Sequence, residues 1–136
     1  MPSSSPDARI CIFAPHEEAG LRVAGALLPS FAVRQATDAD QISQDDDVIF
    51  IAGWKRDALK ACAEARTRTN APVVLLAHDG SSRAVVEGLR GGADLVVFPD
   101  ADPAELAARI RAILRRYRMA GSVDPFHALR LSDSAL

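Results

Sequence analysis

Asp47-Val48-Ile49-Phe50-Ile51-Ala52-Gly53 is the stretch that decides how this chain folds. Its short apolar core, entered from the acidic turn Asp45-Asp46-Asp47 and left at Ala52-Gly53, reads as a strand buried on both faces. A strand covered on both sides needs neighbouring strands and two layers of helix.

Both are found outward from it. Upstream, Arg9-Ile10-Cys11-Ile12-Phe13-Ala14 is another nearly all-apolar strand, ended by Pro15. Residues 17–28 follow as a helix whose Leu21, Ala24, Gly25 and Leu28 share one face, and Pro29 closes it. Residues 31–36 alternate apolar with polar or small residues, as an edge strand does. Thr37 and Asp40 mark the start of a short helix through Ile42. Downstream, residues 57–68 read as a helix with Ala58, Leu59, Cys62 and Ala65 inward. After the turn at Asn70-Ala71-Pro72 comes the apolar strand at residues 73–77. Residues 83–90 form the next helix, with Val85, Val86 and Leu89 inward, and Gly91-Gly92 stops it. Residues 95–98 are the fifth strand. Asp102-Pro103-Ala104-Glu105 then starts a helix with an Asp cap, Pro at the first position and Glu three residues past the cap. That helix runs to about residue 118, burying Leu106, Ile110, Ile113, Leu114 and Tyr117. Its outer face carries Arg109, Arg111, Arg115, Arg116 and Arg118.

The order is (βα)5. Right-handed crossovers make this a doubly wound parallel five-stranded sheet with helices on both faces, an α/β fold of flavodoxin-like order 2-1-3-4-5. Ligands and chemistry in such a sheet sit at the carboxyl ends of the strands.

Composition sets bounds on function. The 136 residues suit one domain, and 49% hydrophobic with 25% charged residues is a globular profile. A formal charge of −2 provides no field to attract nucleic acid or an anionic membrane. Cys11 and Cys62 both fall in apolar patterns, so no disulfide framework or metal knuckle is expected, which suits a reducing, cytoplasmic setting. The small polar residues 1–8 lack the apolar segment of a signal peptide and are expected to be disordered. No run approaches the roughly 20 apolar residues that span a bilayer.

The ordered set Gly92-Ala93-Asp94 before the fifth strand, Pro99 after it, and Asp102-Pro103-Ala104-Glu105-Leu106 resembles the receiver domains of bacterial two-component response regulators. With the element order, the likeness covers residues 9–118 and implies a CheY-like fold. It also implies a chemistry. A receiver takes a phosphoryl group onto an aspartate ending its third strand. Acidic residues after the first strand help hold Mg²⁺, a Ser or Thr ends the fourth strand, and a Lys precedes the proline after the fifth. These supply a nucleophile, hard oxygen ligands and donors for the new charge.

Asp47 matches the helper acid that begins the third strand, but Ala52 stands at the phosphoacceptor position. Ala14 and Pro15 occupy the place of the acidic pair, Ala77 that of the hydroxyl residue, and Phe98 that of the lysine. Lys55 and Lys60 are the only lysines, so a shifted alignment restores nothing. Asp46 or Asp47 as a displaced acceptor would lie about 15 Å from the rim, at roughly 3.3 Å per residue. The chain thus reads as a degenerate pseudo-receiver with no catalytic residue and no cofactor, acting through protein contacts in signal transduction. An active receiver with a displaced acceptor is one alternative.

Another use of the rim is a small-molecule or metal site built on His16, Trp54 and His78, with Glu17, Glu18, Lys55, Arg56, Asp79 and Asp100 nearby. Polar rim loops are also the ordinary condition of such folds. No Gly-rich phosphate loop or dinucleotide fingerprint is present. The candidate contact face is Arg90, Asp94, Glu105, Arg109, Arg111, Arg115 and Arg116. It corresponds to the face of the fourth helix, fifth strand and fifth helix through which receivers commonly dimerise or dock. A protein partner or a second copy is the expected occupant, and neither nucleic acid nor membrane. Residues 119–136 read as a linker or tail. Within it Asp124-Pro125-Phe126-His127-Ala128-Leu129 resembles the Asp-Pro-Leu-Thr-Gly-Leu segment that opens diguanylate cyclase (GGDEF) domains, departing from it at Phe126, His127 and Ala128. That resemblance implies an output domain in c-di-GMP signalling.

Overall fold

The four side chains of the strand at Val48–Ile51 are all buried, and two separate apolar clusters cover them. Phe50 and Val48 point into one, Ile49 and Ile51 into the other, as period-2 alternation requires. The computed structural model describes residues 8–122 apart from 29, 55–56 and 78–80, and gives only the backbone of 121 and 122.

The strands are β1 (Arg9–Phe13), β2 (Ala32–Ala36), β3 (Val48–Ile51), β4 (Val73–Leu76) and β5 (Leu95–Val97). The helices are α1 (Glu17–Leu27), α2 (Ala58–Arg68), α3 (Ser82–Arg90) and α4 (Pro103–Ser122). All strand pairs are parallel, in the order β2-β1-β3-β4-β5. Phe13 lies opposite Ile51 and Ile51 opposite Leu75, so the central strands end level with one another. Helices α1 and α4 cover one face, and α2 covers the other with half-buried residues of α3.

The expected second helix is a single 3-10 turn, Ala39–Gln41. Its cap is Asp38, not Thr37 or Asp40: Asp38 accepts the Asp40 N–H, while Gln41 reaches back to the Thr37 and Asp38 N–H groups. The helices that the receiver resemblance numbers fourth and fifth are therefore α3 and α4 here. The Asp102 cap is present, accepting the Ala104 N–H at 2.7 Å.

Three helices are rotated from their expected faces. In α1 the buried residues are Gly20, Val23, Ala24 and Leu27. Leu21 and Leu28 are 57% and 52% exposed, and Gly25 faces open space. In α2, Ala61 joins Cys62 and Ala65 inside while Leu59 is pushed outward. In α3, Val86 and Leu89 are exposed and Gly88 is the buried residue. A Cβ at Gly88 would sit 2.9 Å from Leu75 and Val96 side chains, so a close helix–sheet approach selects glycine there. In α4 the expected core is present, with Ala107 added and Tyr117 half-buried.

Carboxylates hold the amino ends of the strands. Asp46, whose side chain is fully buried, accepts from the Arg34 guanidinium and from the Ser43 N–H at 3.0 Å. Asp47 accepts the Arg9 N–H at 2.8 Å. Asp94 binds three elements at once, accepting the Val73 N–H at 2.8 Å, Arg66 at 3.0 Å and the Tyr117 hydroxyl at 2.8 Å.

Leu27→Ala is expected to lower stability by about 2–5 kcal/mol. Leu21→Ala should change it by no more than about 0.5 kcal/mol. Urea unfolding of the two variants checks which stripe of α1 faces the core.

Burial pushes the Cys11 and Cys62 thiols from the ordinary 9 up to about 11. Burial, followed by the hydrogen bond to Asp94, pushes the Tyr117 phenol up to about 12. Above about pH 9 the unfolded chain releases protons that the folded chain retains, so the unfolded state gains. The urea midpoint is expected to fall as pH rises from 9 to 11, and the Cys11→Ala/Cys62→Ala variant should show a shallower fall.

Candidate functional site

The carboxyl edge of the sheet assembles most of the residues singled out by position. Ala14, Ala52 and Ala77 each extend their strand by one ladder bond. Their N–H groups donate to Ala36 O at 2.9 Å, Phe13 O at 3.1 Å and Val97 O at 2.8 Å, respectively. All three are buried, Ala52 to 1% exposure, and Pro15 and Phe98 are half-buried beside them. Methyl, pyrrolidine and phenyl groups offer this edge neither a nucleophile nor an oxygen ligand.

Two features pack the edge closely. Gly53 has φ of +77°, and a Cβ there would lie 2.8 Å from Ala19 Cβ and 3.2 Å from Pro15 Cδ. The start of α1 thus rests directly on the end of β3. Trp54 donates its indole N–H to Phe13 O at 2.9 Å, and its ring lies 4.9 Å from that of Phe13 at an interplanar angle of 55°. Phe13 O therefore accepts from both Ala52 and Trp54, using both lone pairs. Neither device was visible in sequence terms, although a glycine directly after a buried strand was the one available signal.

His16 is the N-cap of α1, its Nδ1 accepting the Ala19 N–H at 3.3 Å, with Glu17 and Glu18 in the favourable first turn. His78, Lys55, Arg56 and Asp79 lie outside the described residues. Among the described residues no group of three or more His, Cys, Asp or Glu side chains is placed to hold a metal ion. A crevice of about 780 Å³ runs over the edge, bounded by His16 and Arg22 of α1, by Trp54, Ala77 and Phe98, and by Glu87 of α3. A second cavity of about 420 Å³ lies at the opposite end, beside Asp46 and Arg66, whose charges are already paired within the chain.

The candidate contact face is narrower than its residue set. Asp94 is committed to Val73, Arg66 and Tyr117. Arg111 is half-buried, its guanidinium carbon 5.2 Å from the Phe31 ring centroid, on the side of α4 that meets α1. Arg115 is exposed, but its spacing sets it on the side of Arg111. Glu105 and Arg109 pair at 2.8 Å, and the exposed Arg116 continues their stripe one heptad on. On α3, Val86, Leu89 and Arg90 are exposed to solvent.

No family model matches the chain. The chain is 43% identical over 68 residues to the transcriptional regulatory protein CseB of Streptomyces coelicolor, covering 50% of this chain and 29% of that protein. It therefore spans less than a third of the curated relatives it matches first. Among solved structures, a two-component response regulator from Clostridium difficile superposes with TM-score 0.62 at 21% identity, covering 82% of this chain and 98% of that one. A beryllofluoride-activated DrrB receiver domain gives TM-score 0.62 at 20% identity, covering 79% and 97%.

Gly53→Ala places a Cβ at positive φ and against Ala19. It is expected to cost about 1–3 kcal/mol, read as a lowered urea midpoint. The emission of Trp54, the sole tryptophan, should shift as its contact with Phe13 loosens.

Proposed function

We propose that this chain, which belongs to the receiver domains of two-component response regulators, works without phosphorylation, as a pseudo-receiver that signals by protein contact. One observation carries the reading. The positions where the family resemblance expects an acceptor, an acidic pair, a hydroxyl and a lysine hold Ala52, Ala14, Pro15, Ala77 and Phe98, gathered buried or half-buried at one edge. An alanine methyl cannot take a phosphoryl group, and no carboxylate at 14 or 15 can meet Mg²⁺. Asp46 and Asp47 support the same reading. They sit at the far end of β3, with carboxylates engaged by Arg34, Ser43 and Arg9.

Contact then takes place through the face of α3, β5 and α4. Val86 and Leu89 supply exposed apolar area on α3, with Arg90 on the same helix, and Glu105, Arg109 and Arg116 supply exposed charge on α4. Charges so placed orient a partner, or a second copy, more than they add affinity. No helix among the described residues is long and apolar enough to cross a membrane, and we read the setting as cytoplasmic. Residues 119–122 continue α4, and residues 123–136 lie outside the described residues. Their likeness to the opening of a diguanylate cyclase domain supports an output module in c-di-GMP signalling.

Incubation with acetyl phosphate and Mg²⁺ is expected to leave the intact mass unchanged. Ala52→Asp alone should remain unmodified as well, because Ala14 and Pro15 still lack the metal ligands. A stoichiometric acyl phosphate on the unaltered chain, stable in acid and labile in base, overturns the proposal.

A further inference from the structure

We propose that Tyr117 and Asp94 form a latch that holds the last turns of α4 helical, and that its opening slackens the join between the domain and the chain that follows. Leu114 is buried, but of the side chains at 115–120 Tyr117 alone is half-buried and the others are exposed. The helix nevertheless runs on to Ser122. Its end has little stability of its own. Gly121 lies in the last turn, and no basic residue there meets the helix dipole.

The carboxylate is set in place by other elements before the phenol reaches it. Asp94 donates its N–H to Val73 O at 2.7 Å and accepts the Val73 N–H on Oδ2 at 2.8 Å, clasping the first residue of β4. Arg66 of α2 donates to the same Oδ2 at 3.0 Å. The turn that carries Asp94 is tied back to α3, with Gly92 at φ +110° and the Ala93 N–H donated to Gly88 O at 3.1 Å. Oδ1 is thereby aimed outward, and the Tyr117 hydroxyl donates to it at 2.8 Å.

The strength suits a latch. A hydrogen bond to a charged acceptor moves an equilibrium by about ten- to a hundredfold, enough to hold the end closed and little enough to release it. The Asp94 side chain is 28% exposed, so water can take the place of the phenol when the latch opens. The last turns of α4 then have two states, docked and unwound, at the point where the chain leaves the domain. The latch rests on contacts within the chain and not on the phosphorylation reading.

Amide hydrogen exchange of the full chain, read residue by residue by NMR, tests the proposal. Amides of residues 119–122 are expected to exchange more slowly than in a free peptide. Tyr117→Phe keeps the ring and removes the hydroxyl, and should speed their exchange by about tenfold or more while leaving β4 and β5 unchanged. Arg116→Gln, on the exposed side of the same turn, should alter neither. Free-peptide rates at 119–122 in the unaltered chain overturn the proposal, as does a Tyr117→Phe variant that leaves those amides unchanged. Equal acceleration throughout the domain also overturns it, since that marks a merely structural bond. The experiment contains no acetyl phosphate, so its outcome and that of the phosphorylation test are independent.

Discussion

A strand with every side chain buried leaves the rest of the fold little freedom. Val48, Ile49, Phe50 and Ile51 alternate between two apolar clusters, and each cluster needs its own helical cover. Hydrogen bonding to β1 and β4 on either side consumes the backbone of β3 as well. Both faces and both edges of the central strand are thus closed to function. Only its two ends remain, and the ends are built differently. The amino end is clamped by carboxylates, whereas the carboxyl end is capped by alanine, glycine and tryptophan.

The charges divide on the same lines. Asp46, Asp47 and Asp94 accept backbone or side-chain donors at the amino end. Asp94 alone joins α2, β4 and α4 through Arg66, Val73 and Tyr117. Truncating such a hub would leave several donors unmet at once, which costs more than the loss of an exposed pair. Its carboxylate therefore belongs to the fold before it belongs to any interface. The same holds for Arg111 over Phe31. Further along α4, Glu105 and Arg109 pair with each other on the exposed side, and Arg116 follows them there.

The strands and their order were legible because unbroken apolar runs between helical patterns admit few arrangements. Helix rotation was not. Leu21, Gly25 and Leu28 make a stripe as regular as the true one, Gly20, Val23, Ala24 and Leu27. Hydropathy prefers the leucines, but the distance between helix and sheet decides. Gly20 lies close against Gln35, and Gly88 against Leu75 and Val96. Small residues take those places and the helix turns its larger apolar side chains outward. At the carboxyl edge, family likeness pointed to the positions, and the structure gathers them. The hydrogen bond from Trp54 to Phe13 and the positive φ of Gly53 depend on loop paths that no periodicity records.

That edge also explains why its features act as a set. The close approach of α1 to β3 needs Gly53 without a Cβ and small or compact groups at Ala19 and Pro15. A longer side chain at any of these would push the start of α1 away from the sheet. It would also disturb Phe13 O, which already holds Ala52 and Trp54. Residues in contact through one shared acceptor and one shared space do not change independently. Adding a carboxylate at one position would therefore introduce a buried charge that the groups described around Phe13 O, already committed to Ala52 and Trp54, do not meet. The packing of small residues at this edge thus ties Pro15, Ala19, Gly53 and the Phe13 carbonyl into one unit that changes together or not at all.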